Sequence, residues 1–136
     1  MRDIKFRAWD SKGIKYLYDV QTYQSYTKYD GDYWGFDVIL ISDRFIIEQF
    51  TGLKDSSGVD IYEGDIVKMH IFTQELGENL GVCEGEAEMT VKISISSMGV
   101  LVNDEPLFMY FDDSFHDMSE PFEIIGNIHE NKDLLK

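Results

Sequence analysis

Eight consecutive residues, Met89-Thr90-Val91-Lys92-Ile93-Ser94-Ile95-Ser96, place an apolar side chain at every second position and a polar one between. That period of two belongs to an extended strand with one wetted face; a helix would scatter the same residues around its circumference. The N-terminal region repeats the pattern. Ile4, Phe6 and Ala8 alternate with Lys5 and Arg7, Ser11-Lys12-Gly13 supplies turn chemistry, and Ile14, Tyr16, Tyr18 and Val20 resume the alternation. A β-hairpin with Gly13 at positive φ is expected there.

The β-branched run Phe36-Asp37-Val38-Ile39-Leu40-Ile41 reads as a further strand, as do residues 45–50, 65–71, 100–102, 107–111 and 122–128. Residues 21–35, rich in Tyr, Thr, Gln, Ser, Asp and Gly, are expected to form a loop or an irregular strand pair with an aromatic surface. The polar stretch 73–81 reads as a surface loop, and 127–135 as one or two helical turns. Residues 51–64 are punctuation, with turns at Lys54-Asp55-Ser56-Ser57-Gly58 and Glu63-Gly64, and mark the seam if the chain has two lobes. Pro106 and Pro121 fall at strand edges, where a missing N–H costs little. Many short strands with turns every 8–12 residues or so predict a mainly β barrel or sandwich.

A length of 136 residues with 43% apolar content supports one compact domain, or two small lobes of about 1–50 and about 51–136. Twelve basic against 26 acidic residues give a net charge of −14, a field that repels the phosphate backbone of nucleic acid. Cys83 is the single cysteine, so neither an intramolecular disulfide nor a thiolate metal cage can form. No apolar run approaches the roughly 20 residues that span a bilayer, and Met1-Arg2-Asp3-Ile4-Lys5 lacks a signal-peptide core. A soluble protein of a reducing compartment, with no membrane or nucleic-acid partner, is expected.

Asp112, Asp113, His116 and Asp117 form the most suggestive local cluster of metal-compatible ligands, although their spacing matches no metal motif and a solvated acidic turn is the plainer reading. His70, His116 and His129 are too far apart in sequence to make a local motif. Cys83 precedes Glu84, Glu86 and Glu88, whose charge raises a thiol's pKa and so disfavours a reactive cysteine. Neither phosphate-cradling glycine motif occurs, and no cofactor is expected. The aromatic stretch Tyr23–Trp34 contains a single lysine, Lys28, which suits a protein contact or this chain's own core better than base stacking.

Three further segments carry a resemblance. Ile4-Lys5-Phe6-Arg7-Ala8-Trp9-Asp10, then Phe50-Thr51-Gly52-Leu53-Lys54-Asp55 running through Gly58 and Ile61-Tyr62-Glu63-Gly64-Asp65-Ile66-Val67, then Ile124-Ile125-Gly126-Asn127-Ile128-His129-Glu130-Asn131 with Leu134-Leu135, resemble the YopX family of phage and prophage proteins in order and spacing. His129 stands where the family pattern commonly has Tyr. The resemblance implies a phage or prophage origin, residence in bacterial cytoplasm, and a second half shaped as a small barrel. With the N-terminal hairpin region and a short C-terminal helical turn, that completes the expected mainly β fold. The resemblance supplies no catalytic residue. Its signature positions, Phe6, Trp9, Gly52, Leu53, Asp55, Gly58, Tyr62, Gly64, Asp65, Gly126 and Asn127, read as fold-specifying.

The function these features favour is a non-catalytic protein that binds a host or phage protein, in one variant a basic partner engaged by DNA mimicry. The alternatives are a small metal-assisted hydrolase built on Asp112, Asp113, His116 and Asp117, and an assembly component that self-associates into a homo-oligomer through an edge strand.

Overall fold

The computed structural model describes residues 4–76, 82–97, 99–106 and 122–135, with the backbone alone at 70–76, 82–89 and 105–106. The chain divides into two compact units, Met1–Gly52 and Leu53–Lys136. The fold is mainly β, and the strand pairs with a described register are antiparallel.

In the first unit β1 (Phe6–Asp10) pairs with β2 (Lys15–Tyr18) as the sequence pattern requires. Its turn departs from expectation: Ile14 takes φ 55°, while Gly13 does not have positive φ. Glycine is needed at 13 for space, because a Cβ there would lie 2.7 Å from Asp10 Oδ2. A 3-10 turn at Val20–Thr22 follows, then the two-residue pair β3 (Lys28–Tyr29) and β4 (Asp32–Tyr33), joined by Asp30 and Gly31 at φ 51° and 83°. The aromatic residues of this stretch split. Tyr23, Tyr29 and Trp34 pack against the unit's core of Ala8, Val20, Ile39 and Phe45, whereas Tyr26 and Tyr33 are exposed.

Phe36–Ile41 is an α-helix, α1, and not the strand its β-branched residues predict. Strand propensity measures how well a residue fits a pleated, half-buried surface, and packing overrides it here. Residues three apart share a helical face, so Phe36 and Ile39 both reach the core, and Ile39 N–H donates to Gly35 C=O at 3.1 Å. Asp37 sits in the first turn, where a carboxylate suits the helix dipole. β5 (Phe45–Lys54) then pairs antiparallel with β1. The strand order in the first unit's sheet is β2-β1-β5, and β6 is the three-residue strand Asp60–Tyr62.

The second unit is built on a five-stranded, curled half-barrel sheet. It contains β7 (Asp65–Leu76), β8 (Val82–Ser96), β9 (Gly99–Val102), β10 (Glu105–Pro106) and β11 (Phe122–Asn127), in the order β10-β9-β8-β7-β11. The alternation is realised at Thr90–Ile93: Val91 and Ile93 are buried with Ile61, Val67, Met69, Val102 and Phe122, and Thr90 is exposed. The expected loop at 73–81 is corrected over its first part, because Thr73–Leu76 pairs with β8 in one unbroken register from Ile66↔Lys92 to Leu76↔Val82. Ladder bonds come from the backbone, so a polar sequence can continue a strand once its register is set. Residues 77–81 lie outside the described residues. Among the described strands β10 lies at the edge of the sheet, a position that accommodates Pro106. Asn103 and Asp104, at φ 50° and 69°, make the turn between β9 and β10. The register of β11 on β7 slips between Ile124 and Gly126, a bulge that accommodates one extra residue. The C-terminal helical turn is a 3-10 turn at Lys132–Leu135. The strand expected at 107–111, and Pro121, fall outside the described residues.

Candidate functional site

Asp10, the last residue of β1, is fully buried at the centre of the first unit's main polar constellation. Its Oδ1 accepts from Arg44 Nε at 2.8 Å and from the backbone N–H of Lys12 at 3.0 Å. Its Oδ2 accepts from Arg44 Nη2 at 2.9 Å and from the Tyr29 hydroxyl at 2.5 Å. Arg44 is held from several sides: Nη2 also donates to Asp30 at 2.8 Å, and the guanidinium lies 5.3–5.6 Å from the ring centres of Phe45, Tyr29 and Trp34. The Ser11 backbone N–H and hydroxyl both donate to the Arg44 carbonyl. This clasp ties the β1–β2 turn, the β3–β4 pair and the start of β5 together.

The electrostatics follow from the geometry. The Arg44 hydrogen bonds, aided by Tyr29 and the backbone N–H groups of Gly13 and Lys12, hold the Asp10 carboxyl well below the usual carboxylate range despite its burial. Asp10 and Asp30 raise Arg44 further above its usual value. Burial, then the bond to Asp10, pushes Tyr29 up to about 12. A lowered Asp10 pKa contributes stability that is present above the unfolded value of about 3.9 and is lost as the pH falls below it. A raised Tyr29 pKa contributes stability that is present below the ordinary value of 10.0 and is lost as the pH rises toward about 12. Trp9 and Trp34, the two tryptophans, both lie in the first unit, so their fluorescence reports on that unit. The free energy of its unfolding is expected to fall below about pH 4 in the wild type. In Asp10→Asn that acid limb flattens; an identical limb in the variant would remove Asp10 as its cause.

A second buried pair lies on the same sheet. Arg7 Nε donates to Glu48 Oε1 at 2.8 Å, with both side chains 4% exposed, at directly paired positions of β1 and β5. The Arg7 guanidinium stacks 3.9 Å over the Tyr16 ring, and Trp9 meets that ring edge-on at 5.0 Å.

The signature positions lie on turns and in cores. Phe6 is half-buried on the first core, Trp9 is buried, and Leu53 packs on the second core. Asp55 Oδ1 accepts from the backbone N–H groups of Ser57 and Val59, each at 2.9 Å, and Gly58 completes that turn at φ 83°. Asp65 Oδ2 accepts from the buried Tyr62 N–H at 2.8 Å. Gly64, at φ 89°, bonds on both sides: its N–H donates to Ile93 C=O on β8, and its carbonyl accepts from Ile128 N–H just after β11. Gly52 has φ 87°. Asn127 Oδ1 accepts from the N–H groups of His129 and Glu130, and Asn131 Oδ1 accepts from Asn127 N–H at 3.2 Å.

A Cβ on Gly126 would sit 2.6–2.8 Å from the Asn131 side chain. Gly126→Ala is therefore expected to cost about 1–3 kcal/mol in thermal unfolding. The cost should largely vanish when Asn131 is already alanine; an equal cost in both backgrounds would place its cause elsewhere.

Asp112, Asp113, His116 and Asp117 lie outside the described residues, so the structure neither brings them together nor separates them. Cys83 is paired in register with Glu75, and His70 with Glu88, on β8 and β7. Among the described residues no group of three or more His, Cys, Asp or Glu is placed to hold a metal ion. A cavity of about 270 Å³ is lined by Thr90, Lys92, Asn103, Asp104 and Leu135, with Lys92 Nζ 3.6 Å from Asp104 Oδ1. Sequence reasoning singled out neither this cavity nor the Asp10 clasp.

Charge divides unevenly at the unit boundary. Met1–Gly52 holds seven basic and eight acidic residues, a net of −1, and Leu53–Lys136 holds five and 18, a net of −13. Exposed among the acidic residues of the second unit are Asp104, Glu123, Glu130 and Asp133.

The family model described as YopX protein matches residues 5–136. The chain belongs to the YopX family. No curated protein matches it. The crystal structure of protein EF1440 from Enterococcus faecalis is similar to this YopX-family chain, with a TM-score of 0.60 over 100% of both chains and 22% sequence identity. At that identity the likeness concerns the fold. Among the described residues no helix is long and apolar enough to cross a membrane.

Proposed function

We propose that this YopX-family chain is a phage- or prophage-encoded, non-catalytic protein that acts in the bacterial cytoplasm by binding a host or phage protein with a basic surface. The observation that carries this reading is the division of charge, −1 on Met1–Gly52 against −13 on Leu53–Lys136. A charge of that size steers a basic partner toward the second unit and discriminates against acidic ones. In this reading the signature aspartates and glycines are architecture: Asp55 and Asp65 spend their carboxylates on backbone N–H groups of their own turns. DNA mimicry is the form the function takes where the partner is a DNA-handling protein.

Affinity capture from bacterial lysate with the tagged chain tests the reading. A single stoichiometric partner that is held at low salt and lost at moderate salt is the expected result, because screening shortens the reach of the field. A partner retained equally at both salts would contradict charge-driven binding, and no partner at either would contradict the binding function itself.

A further inference from the structure

We draw no further inference here: the strongest candidate, the exposed outer arc of α1 formed by Val38, Leu40 and Ile41, is an apolar face too small for a stable interface by itself, and nothing in the structure shows what covers it.

Discussion

Asp10→Ala is expected to destabilise the first unit by about 3–5 kcal/mol, a large share of the roughly 5–15 kcal/mol that holds a typical domain folded. The substitution removes a fully buried carboxylate and leaves Arg44, Tyr29 and the Lys12 N–H without the acceptor they share. Asparagine is no conservative replacement. Each carboxylate oxygen receives at least two donors, so an amide group in either orientation sets its own N–H₂ against two or more of them. Arg44→Lys is expected to fail as well, because a single ammonium cannot make the two-pronged contact with Asp10 and also reach Asp30. Tyr29→Phe removes one charge-assisted bond and is expected to cost less, about 1.5–3 kcal/mol. Urea unfolding followed by tryptophan fluorescence measures the whole series. If Asp10→Ala costs no more than Tyr29→Phe, the clasp does not hold the unit together.

Glu48→Ala carries the second large effect, again about 3–5 kcal/mol, because it strips a buried guanidinium of the carboxylate it bonds at 2.8 Å. The informative comparison is the double replacement Arg7→Met with Glu48→Leu. Burying two ions costs desolvation energy that their attraction only partly offsets, so apolar residues of similar volume often do as well or better. The double variant is expected to recover most of the stability lost in Glu48→Ala. A double variant as unstable as the single one would mean that the Arg7 stack on Tyr16, and not the ion pair, holds this face of the sheet.

These two clusters also show where sequence reading stops. The strands that alternate cleanly were legible because burial on one face imposes a period of two. Val91 and Ile93 against Thr90 are the clearest instance. α1 was not legible, since six residues with five β-branched or large apolar side chains fit either a short strand or a short helix, and tertiary packing through Phe36 and Ile39 decided the matter. The paired extension through Thr73–Leu76 was missed because a register propagates through the backbone without an apolar signature. The Asp10 clasp joins residues 19 and 34 positions apart, and no local pattern announces it. The turn at Ser11-Lys12-Gly13 was legible, but not that its glycine serves the Asp10 carboxylate by leaving it room. The division of charge was present in the composition, but it acquires meaning only once the fold places a boundary after Gly52.

Capture from bacterial lysate with two matched charge variants tests the proposed binding function most directly. In one, the exposed Asp104, Glu123, Glu130 and Asp133 of the second unit become the corresponding amides; in the other, the exposed Asp19, Asp32, Asp37 and Asp43 of the first unit do. Both variants lose four charges, so a difference between them reports position and not total charge. The second-unit variant is expected to lose partner affinity by roughly tenfold or more, while the first-unit variant retains it. Equal weakening in both, or loss confined to the first-unit variant, would contradict a basic partner held by Leu53–Lys136.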